Sequence, residues 1–215
     1  MDSSVLFSDQ LERGLAKMHL SATVFQQQQL VRYLMLFEKW NKAYNLSAIR
    51  DREDMVSRHL LDSLVVQPFV KGERIIDVGT GGGLPGIPLA IMNPDKHYTL
   101  LDSNGKKTRF LFQVKMELKL DNVQIENTRV ENFKPTSLFD GVISRAFASI
   151  EDMVKGCDSL LSANGRFWAM KGVYPETELS VLAKHYTVEA SHSLDVPGCD
   201  GERHLLEISR MRRPV

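Results

Sequence analysis

Apolar positions in roughly the first 70 residues recur every three or four places, and from residue 74 onward they gather into short runs between polar segments. The first pattern is helical. Between Thr23 and Tyr44, the side chains of Leu30, Tyr33, Leu34, Phe37, Trp40, Asn41 and Tyr44 form one stripe, which needs a surface to cover it. A second helix is predicted over Arg52 to Val66, with His59, Asp62 and Ser63 set among Leu60, Leu61, Leu64 and Val65. Downstream, the runs predict strands at 74–78, 97–101, 123–126, 139–143 and 166–170, with helices near 86–92, 105–119 and 150–161. Pro94, Asn122 and Gly165 act as stops. Such alternation specifies a parallel sheet covered on both faces. Tyr186 to Glu189 and His204 to Ser209 then alternate around the turn Pro197-Gly198-Cys199-Asp200-Gly201, which reads as a closing hairpin with an antiparallel last strand. The expected fold is α/β, with a seven-stranded, mostly parallel sheet over residues 71–215 and an N-terminal helical extension, residues 1–70, packed on it. No internal repeat is visible.

Composition narrows the class. The chain has 215 residues, 43% hydrophobic and 25% charged, enough for one ordinary core with an appendage. No apolar run approaches the roughly 18 residues of a membrane span, and the N-terminus, with Asp2 and Asp9, lacks the apolar centre of a signal peptide. A soluble, cytoplasmic protein is expected. Cys157 and Cys199 stand apart without metal-ligand spacing and read as free thiols, the first buried on a helix; no metal site is expected. The 27 basic and 27 acidic side chains cancel, so nucleic-acid contact would need a local patch. Three basic clusters qualify: Lys106, Lys107 and Arg109; Arg50, Arg52 and Arg58; and Arg210, Arg212 and Arg213. Taken singly, each is an ordinary solvated surface.

The strongest chemical signal is the run Arg74-Ile75-Ile76-Asp77-Val78-Gly79-Thr80-Gly81-Gly82-Gly83-Leu84-Pro85-Gly86-Ile87-Pro88, a strand entering a glycine turn and then a helix. Glycines let backbone approach a ligand closely, and the free amides of the next helix face the strand end. The spacing Gly81-x-Gly83-x-x-Gly86 matches a dinucleotide pattern. However, Pro85 and Pro88 remove donors that a pyrophosphate would use. Asp77 is expected to bring a carboxylate near the ligand, which repels phosphate and favours the cationic sulfonium of S-adenosylmethionine. Asp102 ends the next strand about twenty residues later, the offset at which an acid grips ribose hydroxyls. Its alternative role is to cap the following helix.

Further candidates sit at the ends of the other strands: Arg129, Val130 and Glu131; Ser144, Arg145 and Ala146; Lys171 and Gly172. With Trp40-Asn41-Lys42-Ala43-Tyr44-Asn45-Leu46, Arg58-His59-Leu60-Leu61-Asp62-Ser63, the Asp77–Pro88 turn, Met170-Lys171-Gly172 and Gly201-Glu202-Arg203-His204, the chain resembles the RsmG (GidB) family of bacterial 16S rRNA guanine-N7 methyltransferases over nearly its whole length. Thr80-Gly81-Gly82-Gly83 departs slightly from that family's turn, where serine and alanine are frequent.

The resemblance implies a Rossmann-like class I methyltransferase that moves a methyl group from S-adenosyl-L-methionine to N7 of one guanine of 16S rRNA, within the small subunit or its precursor, and works as a monomer. It assigns cofactor binding to Gly79, Leu84, Val130, Glu131 and Arg145, and the residue reading adds Gly81 and Asp102. Asn45, His59, Arg145, Lys171 and Arg203 become the candidates for the catalytic side and RNA entrance, with Arg129 beside them. Guanine N7 carries a lone pair and no proton, so positioning rather than a general base is expected to dominate. Three rivals remain at this level: a methyltransferase of another substrate, an NAD-dependent reductase, and a non-catalytic nucleotide-binding module on the ribosome.

Overall fold

The computed structural model describes residues 3–145, 147–182 and 185–211. Its N-terminal part comprises α1 (Ser3–Lys17), α2 (Val24–Tyr44), α3 (Arg52–Met55), a π-helical segment Val56–Leu61 and α4 (Asp62–Leu64). Thr23 starts α2 with a capping box: its hydroxyl accepts from the Gln26 amide, while Gln26 Oε1 accepts from the Thr23 amide. Asn45 ends the helix in the left-handed region at φ 51°, its N–H donating to Asn41 O.

Seven strands follow: β1 (Arg74–Val78), β2 (His97–Leu101), β3 (Val123–Glu126), β4 (Phe139–Ser144), β5 (Leu161–Lys171), β6 (Tyr186–Ser193) and β7 (His204–Arg210). They form one sheet in the order β3-β2-β1-β4-β5-β7-β6. β1 to β5 pair in parallel, and β7 runs antiparallel to both β5 and β6, as the sequence led us to expect. The chain order reverses between β1 and β4, which opens the crevice where α/β sheets hold ligands. Helices α5 (Gly86–Met92), α6 (Gly105–Leu118), α7 (Ile150–Cys157) and α8 (Glu176–Ser180) complete the layers.

The side-chain alternation of β1 separates two cores. Ile75 joins a cluster that runs from Phe7 and Leu34 through Leu100 and Phe110 to Trp168, whereas Ile76 and Val78 join Val154, Phe167 and Leu206 on the opposite face. The α2 stripe finds its partner here: Tyr33 and Phe37 pack edge-on against each other, and Phe110 lies 5.7 Å from the Phe37 ring. The Tyr33 hydroxyl donates to Gly82 O at 2.7 Å, tying the N-terminal helices to the glycine turn.

Several boundaries differ from the sequence reading; β6 runs on to Ser193 and β7 to Arg210, past the expected Glu189 and Ser209. α7 ends at Cys157, and β5 begins at Leu161, five residues before the expected 166. Gly165, expected as a stop, lies inside β5, where a Cβ would stand 2.6 Å from Leu161 Cγ and 3.0 Å from Asp140 O. The register jumps there from Phe139↔Leu161 to Gly141↔Arg166, so Asn164-Gly165 belongs to a bulged strand rather than a break. The expected helix over 52–66 contains the π-helical turn, in which the Asp62 amide donates to Ser57 O. Ala146, Arg212 and Arg213 lie outside the described residues. Both cysteines are free thiols, Cys157 buried. Among the described residues no helix is long and apolar enough to cross a membrane, and no cluster of candidate metal ligands is found.

Candidate functional site

The glycine turn is held from beneath by Asp77. Its Oδ2 accepts from the Gly86 amide at 2.8 Å and the Thr80 hydroxyl at 2.7 Å, closing the turn across its base. Gly79, Gly81 and Gly83 all take positive φ, at 71°, 61° and 92°, conformations that side chains resist. Gly79 and Thr80 amides donate to Leu101 O, and the Ser144 hydroxyl donates to Val78 O, so β1, β2 and β4 ends are bound together. Asp77 itself is 0% exposed. This corrects the expectation that its carboxylate reaches the ligand: it braces the turn instead. Burial pushes its pKa up to about 6, against the lowering effect of its two donors and of Arg145.

Two cavities open above these strand ends. The first, about 440 Å³, is lined by Gly79, Asp102, Thr128, Val130, Glu131 and Phe147, among others. Asp102 is anchored there: Oδ2 accepts from the Gly81 amide and Oδ1 from the Asn104 amide, both within 2.9 Å. The ribose candidate and the loop brace are therefore one residue, and each carboxylate oxygen keeps a further lone pair for a ligand. Val130 opens a 3₁₀ turn, Val130–Asn132, after β3. Lys107, from the first basic cluster, lies on the same wall.

The second cavity, about 380 Å³, is lined by His59, Asp62, Arg145, Phe147, Lys171 and Arg203, with Arg58 and His204 at its sides. The π-helical segment and α4 supply His59 and Asp62, the end of β4 supplies Arg145, β5 supplies Lys171 and the loop into β7 supplies Arg203. The Lys171 ammonium meets both oxygens of Glu178 at 2.9 Å. Glu178 also accepts from the Ile150 amide, coupling α8 to the start of α7. His59 lies against Phe37 with ring centroids 4.7 Å apart. Burial, and then the Arg145 charge, lower its pKa to about 4, so it is neutral at physiological pH.

The sequence candidates thus divide by place. Gly79, Asp102, Val130 and Glu131 share the first cavity with Arg129; His59, Arg145, Lys171 and Arg203 share the second. Arg145, expected either on the cofactor side or at the RNA entrance, lies on the wall of the second cavity. Leu84 is buried, with its amide on Thr80 O, and Gly81 acts through its amide on Asp102. Asn45 is an exposed helix cap whose Oδ1 accepts from Arg50. Leu84, Gly81 and Asn45 line neither of these two cavities.

Sequence reasoning passed over Phe147, the one residue among those described that lines both cavities. It follows the Ser144-Arg145-Ala146 motif directly, and that adjacency was the available signal. Asp62 was quoted within a motif and given no role. Its partners lie 83 and 141 residues away, a separation no local pattern reports.

Comparison with known proteins agrees with this architecture. Glycopeptide N-methyltransferase MtfA, solved with S-adenosyl-L-methionine, superposes with a TM-score of 0.62 at 10% identity over 72% of this chain and 88% of that one. A ribosomal protein L11 methylase from Lactobacillus delbrueckii gives 0.55 at 19% identity over 71% and 77%. At such identities the likeness establishes the fold, which is Rossmann-like and of the methyltransferase type. The sequence comparisons go further. A protein of Saccharophagus degradans named ribosomal RNA small subunit methyltransferase G is 60% identical over 94% of this chain and 91% of its own length. Proteins of the same name from Hahella chejuensis and Pseudomonas aeruginosa are 53% and 54% identical over 94% of this chain. The family model described as rRNA small subunit methyltransferase G matches residues 26–206, and the chain belongs to that family.

Proposed function

We propose that the protein transfers a methyl group from S-adenosyl-L-methionine to N7 of one guanine in 16S rRNA. The observation that carries this reading is the pair of cavities meeting at Phe147 over the glycine turn: one is built for a nucleoside, the other is rich in cations. In the first, Val130 and Leu101 offer apolar surface to adenine, Asp102 accepts from ribose hydroxyls, and the bare backbone of Gly79 admits the amino-acid end. The residues present fit such a donor. It supplies an electrophilic methyl on a cationic sulfur.

In the second cavity Arg145, Lys171 and Arg203 hold RNA phosphates, and the target base enters unstacked from its helix, as a deep pocket requires. The chain's own contribution is then alignment. N7 has an in-plane lone pair and no proton, so no side chain needs to abstract one, and oriented reactants gain the effective-molarity advantage. A neutral His59 suits this scheme, because it adds no positive charge beside a base that becomes cationic on methylation. The protein works on this reading as a cytoplasmic monomer on the small subunit or its precursor.

The test is transfer of labelled methyl from S-adenosylmethionine to small subunits lacking the modification, followed by mapping of the modified atom. Label on a single guanine N7 of 16S rRNA is expected. Label on a protein, on another base atom, or on a small molecule would refute the assignment.

A further inference from the structure

The arginine and lysine side chains of the second cavity form three groupings with acids, of unequal balance. Arg58 is matched by Asp54, and Lys171 by Glu178, one cation to one acid. Asp62 alone serves two cations: its Oδ2 accepts from Arg145 Nη1 at 2.9 Å and its Oδ1 from Arg203 Nε at 2.8 Å. The surplus positive charge of the cavity is therefore concentrated at this one carboxylate. The carboxylate end is sunk, with only 7% of the side chain exposed, while the two arginine side chains remain 34% and 28% exposed. Arg145 spends Nη1 on Asp62 and Arg58 O, and Arg203 spends Nε on Asp62 and Nη1 on Glu202 O. The Nη2 of each has no hydrogen-bond partner among the described residues.

We propose that Asp62 is a positioning residue for RNA: it fixes Arg145 and Arg203 as a two-guanidinium clamp for a single backbone phosphate of the rRNA. Arginine's planar fork matches phosphate oxygens, and such bonds are strong when both partners are charged. Long side chains lose much freedom when they bind, and a carboxylate that already holds one edge of each fork removes part of that cost. The two arginines arrive from the end of β4 and from the loop before β7, so neither element could set their spacing alone. A donor carboxylate would be the competing anion. Both arginines line the cavity that also holds Lys171 and neither lines the one walled by Gly79 and Val130, which favours phosphate. The proposal rests on reading that cavity as the RNA side.

The experiment measures binding to unmodified small ribosomal subunits, S-adenosylmethionine affinity by calorimetry, and the separate effects on KM and kcat. Asp62→Asn presents an amide donor to one guanidinium and expels it. Subunit binding and KM are expected to worsen about tenfold or more, with kcat falling less than about threefold and cofactor affinity held within about twofold. Because Asp62 is buried, Arg203→Lys serves as a gentler probe. Lysine keeps the charge but cannot hold Asp62 and reach outward as a fork, so KM for the subunit rises while the melting temperature stays near that of the parent. In an Arg203→Ala background Asp62→Asn should add less than it does alone, since both act through one clamp. A parallel loss of cofactor affinity would transfer the clamp to the donor. Unchanged subunit binding, or strictly additive losses, would reduce Asp62 to a structural tie. The binding assay does not use methyl transfer, so a methyl mapped to another RNA atom would overturn the guanine-N7 reading and leave the clamp standing.

Discussion

Asp77 is a buried acid whose two oxygens are treated unequally, and Asp77→Asn tests what that costs. Oδ2 takes both the Gly86 amide and the Thr80 hydroxyl, while Oδ1 has no partner among the described residues. Burial without full hydrogen bonding disfavours the charged form, and the pKa rises from 3.8 to about 6. The unfolded chain releases this proton near 3.8, whereas the folded chain holds it until about 6. Between those values the folded state binds more protons, so this group's contribution to stability is full below about pH 4. It is lost as pH rises through 6 and stays lost above. At about 1.4 kcal/mol for each pH unit, the loss amounts to about 3 kcal/mol.

Asparagine keeps an acceptor oxygen for Gly86 and Thr80 and removes the titration. Urea unfolding of both proteins from pH 4 to 8 isolates the residue, because every other titrating group cancels in the difference. The stability of Asp77→Asn relative to the parent should climb by about 3 kcal/mol between pH 4 and 7 and then level. A difference that is flat with pH, or that climbs toward acid, would refute the argument. S-adenosylmethionine affinity should stay close to that of the parent, because the carboxylate is sealed beneath the turn. A collapse of that affinity with the Gly86 amide still protected from exchange would mean that the carboxylate acts on the ligand after all.

Three further outcomes are expected. Gly141→Ala places a Cβ 1.9 Å from Trp168 Cζ3 in the middle of the sheet, and overpacking there should cost about 1–3 kcal/mol, read as a lower urea midpoint; an unchanged midpoint would refute the packing argument. Lys171→Ala strips Glu178 of its cation and should weaken binding to small subunits while leaving cofactor affinity intact, so parallel loss of both would put Lys171 on the wrong side of Phe147. If N7 is the target as proposed, the maximal rate should show no single ionisation between about pH 6 and 9, since that atom needs no base and His59 stays neutral throughout that range. A steep one-proton loss near neutrality with substrate binding unchanged would bring a general base into the mechanism.

The layout of the site was legible in the sequence because a parallel sheet places strand ends on one side, and strand ends can be read from apolar runs closed by polar residues. That reasoning found the glycine turn, Asp102, Val130, Arg145 and Lys171 without any knowledge of which helix packs where. It failed where the deciding quantity was burial or long-range pairing. Asp77 follows Ile75 and Ile76 and stands two residues before the first glycine, a position that looks the same whether its carboxylate faces a ligand or the Gly86 amide beneath. Gly165 looks like a helix stop because a β-bulge and a break share the same residue type.

Asp62 shows the limit most clearly. On the chain it is one polar residue in a leucine-rich helix, a neutral fact. Its importance exists only after α4, the end of β4 and the loop before β7 have been brought together. The fold here is therefore written in local periodicity, while the charge balance of the cavity is written in contacts between segments up to 141 residues apart. That separation also makes the clamp dependent on the N-terminal helices. Asp62 holds two arginines at the strand ends while Tyr33 ties α2 to the glycine turn and Phe37 packs on His59 of the segment that leads into α4. Loosening that contact, by exchanging Tyr33 for phenylalanine, should raise hydrogen exchange in the segment carrying His59 and Asp62 before it does so in β1 and β4, and equal exchange in both would refute the coupling.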